Sequence, residues 1–193
     1  MIELNDYYYA NIRELFSTEE DLLEIISGFS CPQNEDVERF LKASAVEFTK
    51  KNQSVSYLVF SKEIQQLVGY FTIAMKPLTI GAADVVSNTQ RRKIERICRL
   101  DESSQSYTMS AYLIAQLGKN FSRGANEKIT GDYLLSIALN VIDKLQYSAG
   151  GMVSFVETDN NNKLLSFYQR NKFHLISSPQ KNNNELVQLF RII

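Results

Sequence analysis

Histidine is almost absent from this chain of 193 residues, and tryptophan is entirely absent. His174 is the single imidazole, so the sequence argues against Ser-His-Asp catalysis, Cys-His catalysis and metal sites rich in histidine. If the protein is an enzyme, its proton chemistry must depend on Tyr, Asp, Glu, Lys or water.

Cysteine and long apolar runs are scarce as well. Cys31 and Cys98 lie far apart and form no CxxC pattern. Residues 1–9 carry acids and tyrosines rather than a basic patch followed by an apolar run, so they do not resemble a signal peptide. No apolar stretch approaches the roughly 20 residues that cross a bilayer. We therefore expect a cytoplasmic protein with two free thiols and no membrane contact.

Neither sign of charge dominates, because 21 basic and 22 acidic residues give a formal charge of −1. This balance disfavours a uniformly basic nucleic-acid-binding protein but leaves room for a local basic surface. The candidates for such a surface are Arg91-Arg92-Lys93, Arg96 and Arg99, together with Lys119 and Arg123. A solvated helix face, diluted by Glu95, Asp101 and Glu102, is the plainer interpretation.

The order of the predicted elements indicates a mixed fold. With no internal repeat and no Pro/Gly linker, we expect one domain over residues 1–193. Apolar spacing predicts helices over 11–27, from Asn34 to about Lys50, over 85–100, from Gly131 onward and over 163–170. β-rich runs predict strands at 55–60, 67–73, 107–117, 152–156, 173–176 and 186–192. The first two strands suggest an antiparallel pair and the later strand–helix–strand unit a parallel crossover, which together predict an α/β (α+β) fold.

The stretch from Gln116 to Gly131 is a candidate anion site. A predicted strand ends in a Gly-containing loop, and a long periodic helix opens at Gly131. The first turn of a helix presents unpaired N–H groups and a positive dipole end, to which Arg123 and Lys128 add charge. Neither a P-loop nor a Rossmann fingerprint is present. An ordinary strand-to-helix connection is the alternative.

Tyr168 stands out in the second stretch, Asn160 to Phe173. Locally this is a capped helix with Leu164, Leu165 and Tyr168 on one face. A tyrosine at the edge of the core, with its hydroxyl satisfied, is the plain interpretation of Tyr168.

Two groups of residues resemble the GNAT N-acetyltransferase family. The family's motif N-x-x-A-x-x-F/L-Y-x-x-x-G-F is matched by Asn161, Leu164, Phe167, Tyr168 and Phe173. The front half resembles the branch that contains the acetyltransferase toxins of toxin–antitoxin pairs. The matches there are Phe29, Cys31, Phe40, Leu41 and Val68-Gly69-Tyr70-Phe71-Thr72.

The resemblance implies a fold and a mechanism. The fold is a mostly antiparallel central sheet with one splayed parallel strand pair, flanked by helices. Acetyl-CoA is the co-substrate, no metal is needed, and a primary amine attacks the thioester directly. Tyr168 would protonate the departing thiolate as general acid. Residues implied to hold the coenzyme are Leu117, Gly118 and Lys119 for the pantetheine arm and thioester, Asn126, Lys128, Ile129, Thr130, Gly131 and Asp132 for the pyrophosphate loop, and Asn161.

Three positions depart from the family pattern. Asn126 stands where the loop motif has Gln or Arg, and Ile129 stands where it has its first glycine. Lys172 replaces the glycine before Phe173. The loop before Gly131 is also about two residues long for the family. The Cβ of Ile129 is expected to crowd an approaching pyrophosphate.

Several alternatives stay open on the sequence. A catalytically inactive GNAT-fold binding or regulatory protein is the main one, and an unrelated α/β structure with fortuitous matches is another. The acceptor of an active enzyme is undetermined among aminoacyl-tRNA, a small amine and a protein amine. A homodimer and a small antitoxin partner are both compatible with the resemblance.

Overall fold

The computed structural model describes residues 6–85, 87–176 and 186–193. The strands are β1 (Tyr7–Asn11), β2 (Val55–Ser61), β3 (Gln66–Gly81), β4 (Ser106–Lys119), β5 (Val153–Thr158), β6 (His174–Leu175) and β7 (Val187–Ile192). The helices are α1 (Glu19–Ser27), α2 (Glu35–Ala43), α3 (Ala45–Lys50), α4 (Asn88–Glu95), α5 (Gly131–Ala149) and α6 (Asn162–Arg170). Short 3-10 helices lie at Ile12–Thr18, Ala82–Asp84 and Ser122–Glu127.

The strands form one sheet in the order β1-β2-β3-β4-β5-β7-β6. β1 with β2, β2 with β3, β5 with β7 and β6 with β7 are antiparallel, while β4 and β5 are parallel. The parallel ladder joins Ala111, Tyr112 and Leu113 to Val153, Ser154 and Phe155, so most of β4 and half of β5 lie outside it. This confirms the predicted mixed α/β sheet with one parallel strand pair.

Local sequence signals predicted most helices and strands correctly, but they predicted the first and last residues of these elements less accurately. The helix predicted over 85–100 is shorter, since α4 covers Asn88–Glu95, and Val86 lies outside the described residues. The helix predicted from Asn34 is divided at Ser44, whose φ of −128° breaks the helical path between α2 and α3. β1 was not predicted, because Tyr7–Asn11 becomes a strand by pairing with β2.

The contacts divide the chain into two compact units, residues 1–74 with 114–141 and residues 75–113 with 142–193. The prediction of a single domain stays a prediction. None of the helices among the described residues has the length and apolar character needed to cross a bilayer.

The core of the first unit is an apolar cluster under β2 and β3. Tyr70 lies at its centre, where its hydroxyl donates to Val37 O at 2.5 Å and its ring meets Phe29 edge-on. Asn34 caps α2 by accepting from the amides of Asp36 and Val37. Cys31 is buried in this cluster. These contacts fix α2 against the end of the sheet that carries the candidate site.

The second unit positions the start of β5 through a glycine pair. Gly150 and Gly151 have φ values of 77° and 113°, which other residues rarely adopt. A Cβ on Gly151 would lie 2.5 Å from Tyr112 Cε2, and the Tyr112 hydroxyl donates to Gly150 O at 2.5 Å. Glycine is therefore required here for both the turn and the packing of Tyr112.

Candidate functional site

The loop between β4 and α5 is braced by the side chain of Lys119, a role that the sequence did not predict for this residue. Lys119 Nζ donates to Asn126 O at 2.8 Å and to Ile129 O at 3.1 Å. The backbone amide of Asn120 donates to Val68 O on β3. Because successive amides of a strand point to opposite sides, the amide of Lys119 points away from β3. The side chain of Lys119 thus shapes the loop, and its backbone is available to another group.

The extra length of the loop forms a 3-10 turn with a left-handed pair. Arg123 and Gly124 have φ values of 51° and 75°. Ala125, which follows, is buried and its carbonyl accepts from the Lys128 amide at 3.1 Å. The turn is therefore anchored through Ala125, while Arg123 and Gly124 are exposed.

The helix α5 begins with unpaired amides. Thr130 caps it, because Thr130 Oγ1 accepts from the Tyr133 amide at 3.1 Å and Thr130 O accepts from the Leu134 amide at 3.0 Å. Within the described part of the chain, no group accepts from the amides of Ile129, Thr130 or Gly131. Three consecutive free donors at the N-terminus of a 19-residue helix form an anion-binding arrangement.

The side chain of Ile129 is 3% exposed, so it packs inside the protein. The loss of the family's glycine at this position therefore places an apolar anchor in the core. The expected crowding of a pyrophosphate by Ile129 is not supported, because its side chain occupies buried space.

The other predicted loop side chains have different surroundings. Lys128 Nζ pairs with Glu63 Oε1 at 2.9 Å, and this carboxylate raises the pKa of Lys128. Lys128 O accepts from the Tyr7 hydroxyl. Asn126 is half-buried and contributes its carbonyl to Lys119. Asp132 lies in the first turn of α5, where its charge suits the helix dipole but opposes a bound anion.

Gly118 has a packing reason to be glycine. A Cβ at this position would lie 2.4 Å from Val37 Cγ1. The neighbouring Leu117 is half-buried at the end of β4. The close approach of α2 to β4 therefore accounts for Gly118 without any ligand.

Asn161 and Tyr168 both lie on α6, in the second unit. Asn161 is the helix cap, since its Oδ1 accepts from the Lys163 amide at 2.8 Å. The structure thus groups Leu117 to Asp132 at the end of β4 and the start of α5, and it places the other two predicted residues on a separate element.

Tyr168 is 8% exposed and its ring packs against Phe167 and Phe173. Within the described residues, its hydroxyl forms no hydrogen bond. Burial raises the pKa of Tyr168 to about 12. Tyr168 therefore lies at the edge of the core, and its side chain keeps its proton throughout the physiological pH range.

The C-terminus of α6 shows the structural role of residue 172, where the family has glycine and this chain has Lys172. The amides of Lys172 and Phe173 donate to Gln169 O and Tyr168 O, the pattern of a Schellman cap. Lys172 occupies the left-handed position of this cap, with φ of 68°. The family's glycine suits that conformation, and lysine adopts it at a cost in strain.

No group of three or more His, Cys, Asp or Glu side chains among the described residues is arranged to hold a metal ion. Cys31 is buried, and burial raises the pKa of its thiol. A thiol of this kind is a poor nucleophile.

Comparison with known proteins identifies the fold. The chain matches no protein-family model and no curated protein sequence. Among solved structures it is similar to AtaT complexed with acetyl-methionyl-tRNAfMet, with 18% identity over 94% of each chain and a TM-score of 0.66. It is also similar to a Tyr-to-Phe mutant of KacT, with 21% identity over 97% of this chain and 95% of that one, at a TM-score of 0.67. A third structure, AtaTR bound with AcCoA, shares 19% identity over 97% and 94% of the two chains, at a TM-score of 0.59. The chain therefore has the GNAT fold of the AtaT and KacT toxins, as the resemblance in its sequence predicted.

Proposed function

We propose that this protein is an acetyl-CoA-dependent N-acetyltransferase that acetylates a primary amine, with aminoacyl-tRNA as the first candidate acceptor. The observation that carries the proposal is the run of free amides at Ile129, Thr130 and Gly131, before a long helix. Several charge-assisted hydrogen bonds from these amides suit the diphosphate of coenzyme A. AtaTR has been solved with AcCoA, which agrees with this choice of co-substrate.

The proposed reaction is a direct attack. The amine nitrogen bonds to the thioester carbonyl carbon, the C–S bond breaks, and the hydroxyl proton of Tyr168 moves to the departing thiolate. The amide of Lys119, which points away from β3, stabilises the developing oxyanion. The proton of the attacking amine leaves to water or to a carboxylate. Leu117 and Gly118 line the pantetheine arm with their backbone, and Asn161 contacts the coenzyme.

No cysteine takes part in this scheme. An acyl-enzyme would need an activated thiol, whereas Cys31 is buried and its pKa is raised. Direct transfer requires a proton donor for the thiolate, and burial keeps Tyr168 protonated for this role while making it a weaker acid. Structures of Tyr-to-Phe mutants have been solved for both AtaT and KacT, which supports a tyrosine as the residue to test.

Calorimetric titration with coenzyme A tests the first step. We expect wild-type protein to bind in the micromolar range and Gly131→Val to bind at least about tenfold more weakly, because the added side chain crowds the amides. Ala149→Val, at the other end of α5, is the matched control and keeps wild-type affinity. If wild-type protein gives no heat at millimolar coenzyme A, the enzymatic proposal is wrong and the inactive GNAT-fold binding protein becomes the better hypothesis.

The acceptor is tested separately. AtaT has been solved with acetyl-methionyl-tRNAfMet, and this favours the amine of an aminoacyl-tRNA here. Labelled acetyl-CoA should transfer its label to aminoacylated tRNA but not to deacylated tRNA. Faster transfer to spermidine or to a protein lysine would redirect the proposal to a small amine or a protein amine.

An antitoxin partner follows from the same comparisons. AtaT has been solved with the C-terminus of the antitoxin AtaR. We propose that a small protein encoded beside this chain binds and inhibits it, and co-purification of the two products checks this. A homodimer stays a prediction.

A further inference from the structure

Four exposed cations on and just after α4 form what we call the basic surface: Arg92, Lys93, Arg96 and Arg99. Within the described residues, none of the four side chains forms an ion pair or a hydrogen bond. Other basic residues do form ion pairs, among them Arg39, Lys42, Lys50 and Lys128. The basic surface is therefore available to an external anion.

The inner side of α4 is held firmly. Ile94 is completely buried, and its carbonyl accepts from the amides of both Ile97 and Cys98. Arg91 Nη2 donates to Ala82 O at 2.9 Å. These contacts hold α4 through Ile94 and Arg91, and the four cations stay exposed to solvent. The basic surface is therefore formed before any ligand binds.

Two carboxylates near the basic surface, those of Glu95 and Asp101, accept hydrogen bonds from other residues. Glu95 Oε1 accepts from the Tyr107 hydroxyl at 3.1 Å. Asp101 Oδ1 accepts from the amides and hydroxyl of Ser103 and the amide of Ser104, which close a turn. The carboxylates of Glu95 and Asp101 thus form hydrogen bonds to neutral groups instead of ion pairs with the four cations.

Positive charge is concentrated in the segment that carries the basic surface. Residues 91–99 contain five basic residues and one acidic residue, a formal charge of +4, whereas the whole chain carries −1. The remaining residues therefore carry −5. Unpaired cations concentrated in this way repel one another, and phosphate groups along a polyanion relieve that repulsion.

We propose that the basic surface binds the phosphate backbone of the RNA that carries the acceptor amine. The inference rests on the proposed function, because it assumes an aminoacyl-tRNA acceptor. Three of the four cations are arginines, whose planar guanidinium donates two parallel hydrogen bonds to one phosphate. Because the proposed contacts are made to phosphates, they supply affinity and position without sequence specificity.

Salt-dependent binding of unfractionated deacylated tRNA to the full chain tests this surface. In fluorescence anisotropy, affinity should fall steeply with salt, and the slope of log K against log salt should reflect about four contacts. A quadruple variant, Arg92→Gln with Lys93→Gln, Arg96→Gln and Arg99→Gln, should lose about three to four units of that slope and bind at least about 100-fold more weakly at low salt. Coenzyme A affinity should be unchanged in this variant.

A charge-matched control separates location from net charge. Neutralising Arg39, Lys42 and Lys50 on α2 and α3, together with Lys51 just after α3, removes the same charge from another surface, and it should leave most of the tRNA affinity intact. Equal losses in the two variants, or no tRNA binding by wild-type protein, would overturn the proposal. Binding of polyglutamate as tightly as tRNA would also overturn it, in favour of an acidic protein partner. Because each variant is also titrated with coenzyme A, failure here is distinguishable from failure of the proposed acetyltransferase activity.

The single histidine gives an independent readout. Burial and the charge of Lys93 lower the pKa of His174. A phosphate bound to Lys93 would offset that charge and raise the pKa of His174, which proton NMR follows without any assignment because no other imidazole is present. An unchanged imidazole pKa in the RNA complex would place the RNA away from Lys93 and contradict the assignment.

Discussion

Single residues decide the form of the phosphate loop. The family's glycine at residue 129 is replaced by an isoleucine whose side chain is buried, so it anchors the loop in the core instead of crowding it. Lys119 joins the two sides of the loop by donating to Asn126 O and Ile129 O. Neither role was predicted from the sequence, in which Ile129 is a departure from the family motif and Lys119 a candidate coenzyme-binding residue.

Lys119→Met should loosen this loop. The substitution leaves two carbonyls without a charged donor, which we expect to cost about 1–2 kcal/mol of the free energy of unfolding. Coenzyme A affinity should fall by about tenfold, because the amides of residues 129–131 are no longer held in one arrangement. Urea unfolding and calorimetry measure the two effects, with Lys144→Met on α5 as control. Unchanged values in both measurements would mean that the side chain does not brace the loop.

Tyr168 is the residue on which the proposed chemistry depends. Tyr168→Phe should lower turnover by about 100-fold or more, the usual contribution of a general acid, and leave coenzyme A affinity nearly intact because the ring still packs. Since the pKa of Tyr168 is raised to about 12, wild-type turnover should show no alkaline decline from this group below pH 10. Steady-state kinetics across pH check both statements, with Tyr147→Phe, at a 92% exposed tyrosine, as control. Wild-type turnover in Tyr168→Phe would remove this residue from the mechanism.

At the scale of elements, the two ends of α6 differ in how well local sequence preferences account for them. Its N-terminus follows local rules, with Asn161 as cap, and the sequence predicted it. Its C-terminus places Lys172 in a left-handed conformation that glycine adopts more easily. The strand β1 is the opposite case, since Tyr7–Asn11 has little strand signal beyond its tyrosines and exists through its pairing with β2.

Lys172→Gly should therefore stabilise the protein. Relief of the left-handed strain is worth about 1 kcal/mol, partly offset by the larger entropy of glycine in the unfolded chain. Urea unfolding measures the gain, and Lys163→Gly in the first turn of α6 should destabilise instead. A loss of stability in Lys172→Gly would show that the lysine side chain makes a compensating contact.

On the scale of the whole molecule, buried tyrosine hydroxyls link stability to alkaline pH. Burial raises the pKa of Tyr168 to about 12 and also raises the pKa of Tyr70 above its ordinary value. Both groups are neutral in the folded protein and ionise more easily when unfolded. The contribution of these two protonated hydroxyls to the free energy of unfolding is complete below pH 10. It is lost as the pH rises toward the pKa values of the two tyrosines in the folded protein.

The free energy of unfolding should accordingly fall between pH 10 and pH 11.5, by up to about 1.4 kcal/mol per pH unit for each buried tyrosine. Urea unfolding at several pH values measures the slope. Tyr168→Phe should remove one tyrosine's share of it, while Tyr147→Phe should leave it unchanged. Identical slopes in the wild type and in Tyr168→Phe would indicate that Tyr168 ionises freely in the folded protein.

The sequence by itself determined the helices with clear caps and periodicity, the central strands, the resemblance to GNAT acetyltransferases and the position of Tyr168. These depend on local propensity and on motif spacing, which a sequence carries directly. Only the tertiary structure decided that the side chain of Ile129 is buried, that Lys119 braces the loop and that Glu95 turns to Tyr107, leaving the cations of α4 unpaired. Such outcomes depend on contacts between residues distant in the chain, and neighbours along the sequence do not specify them.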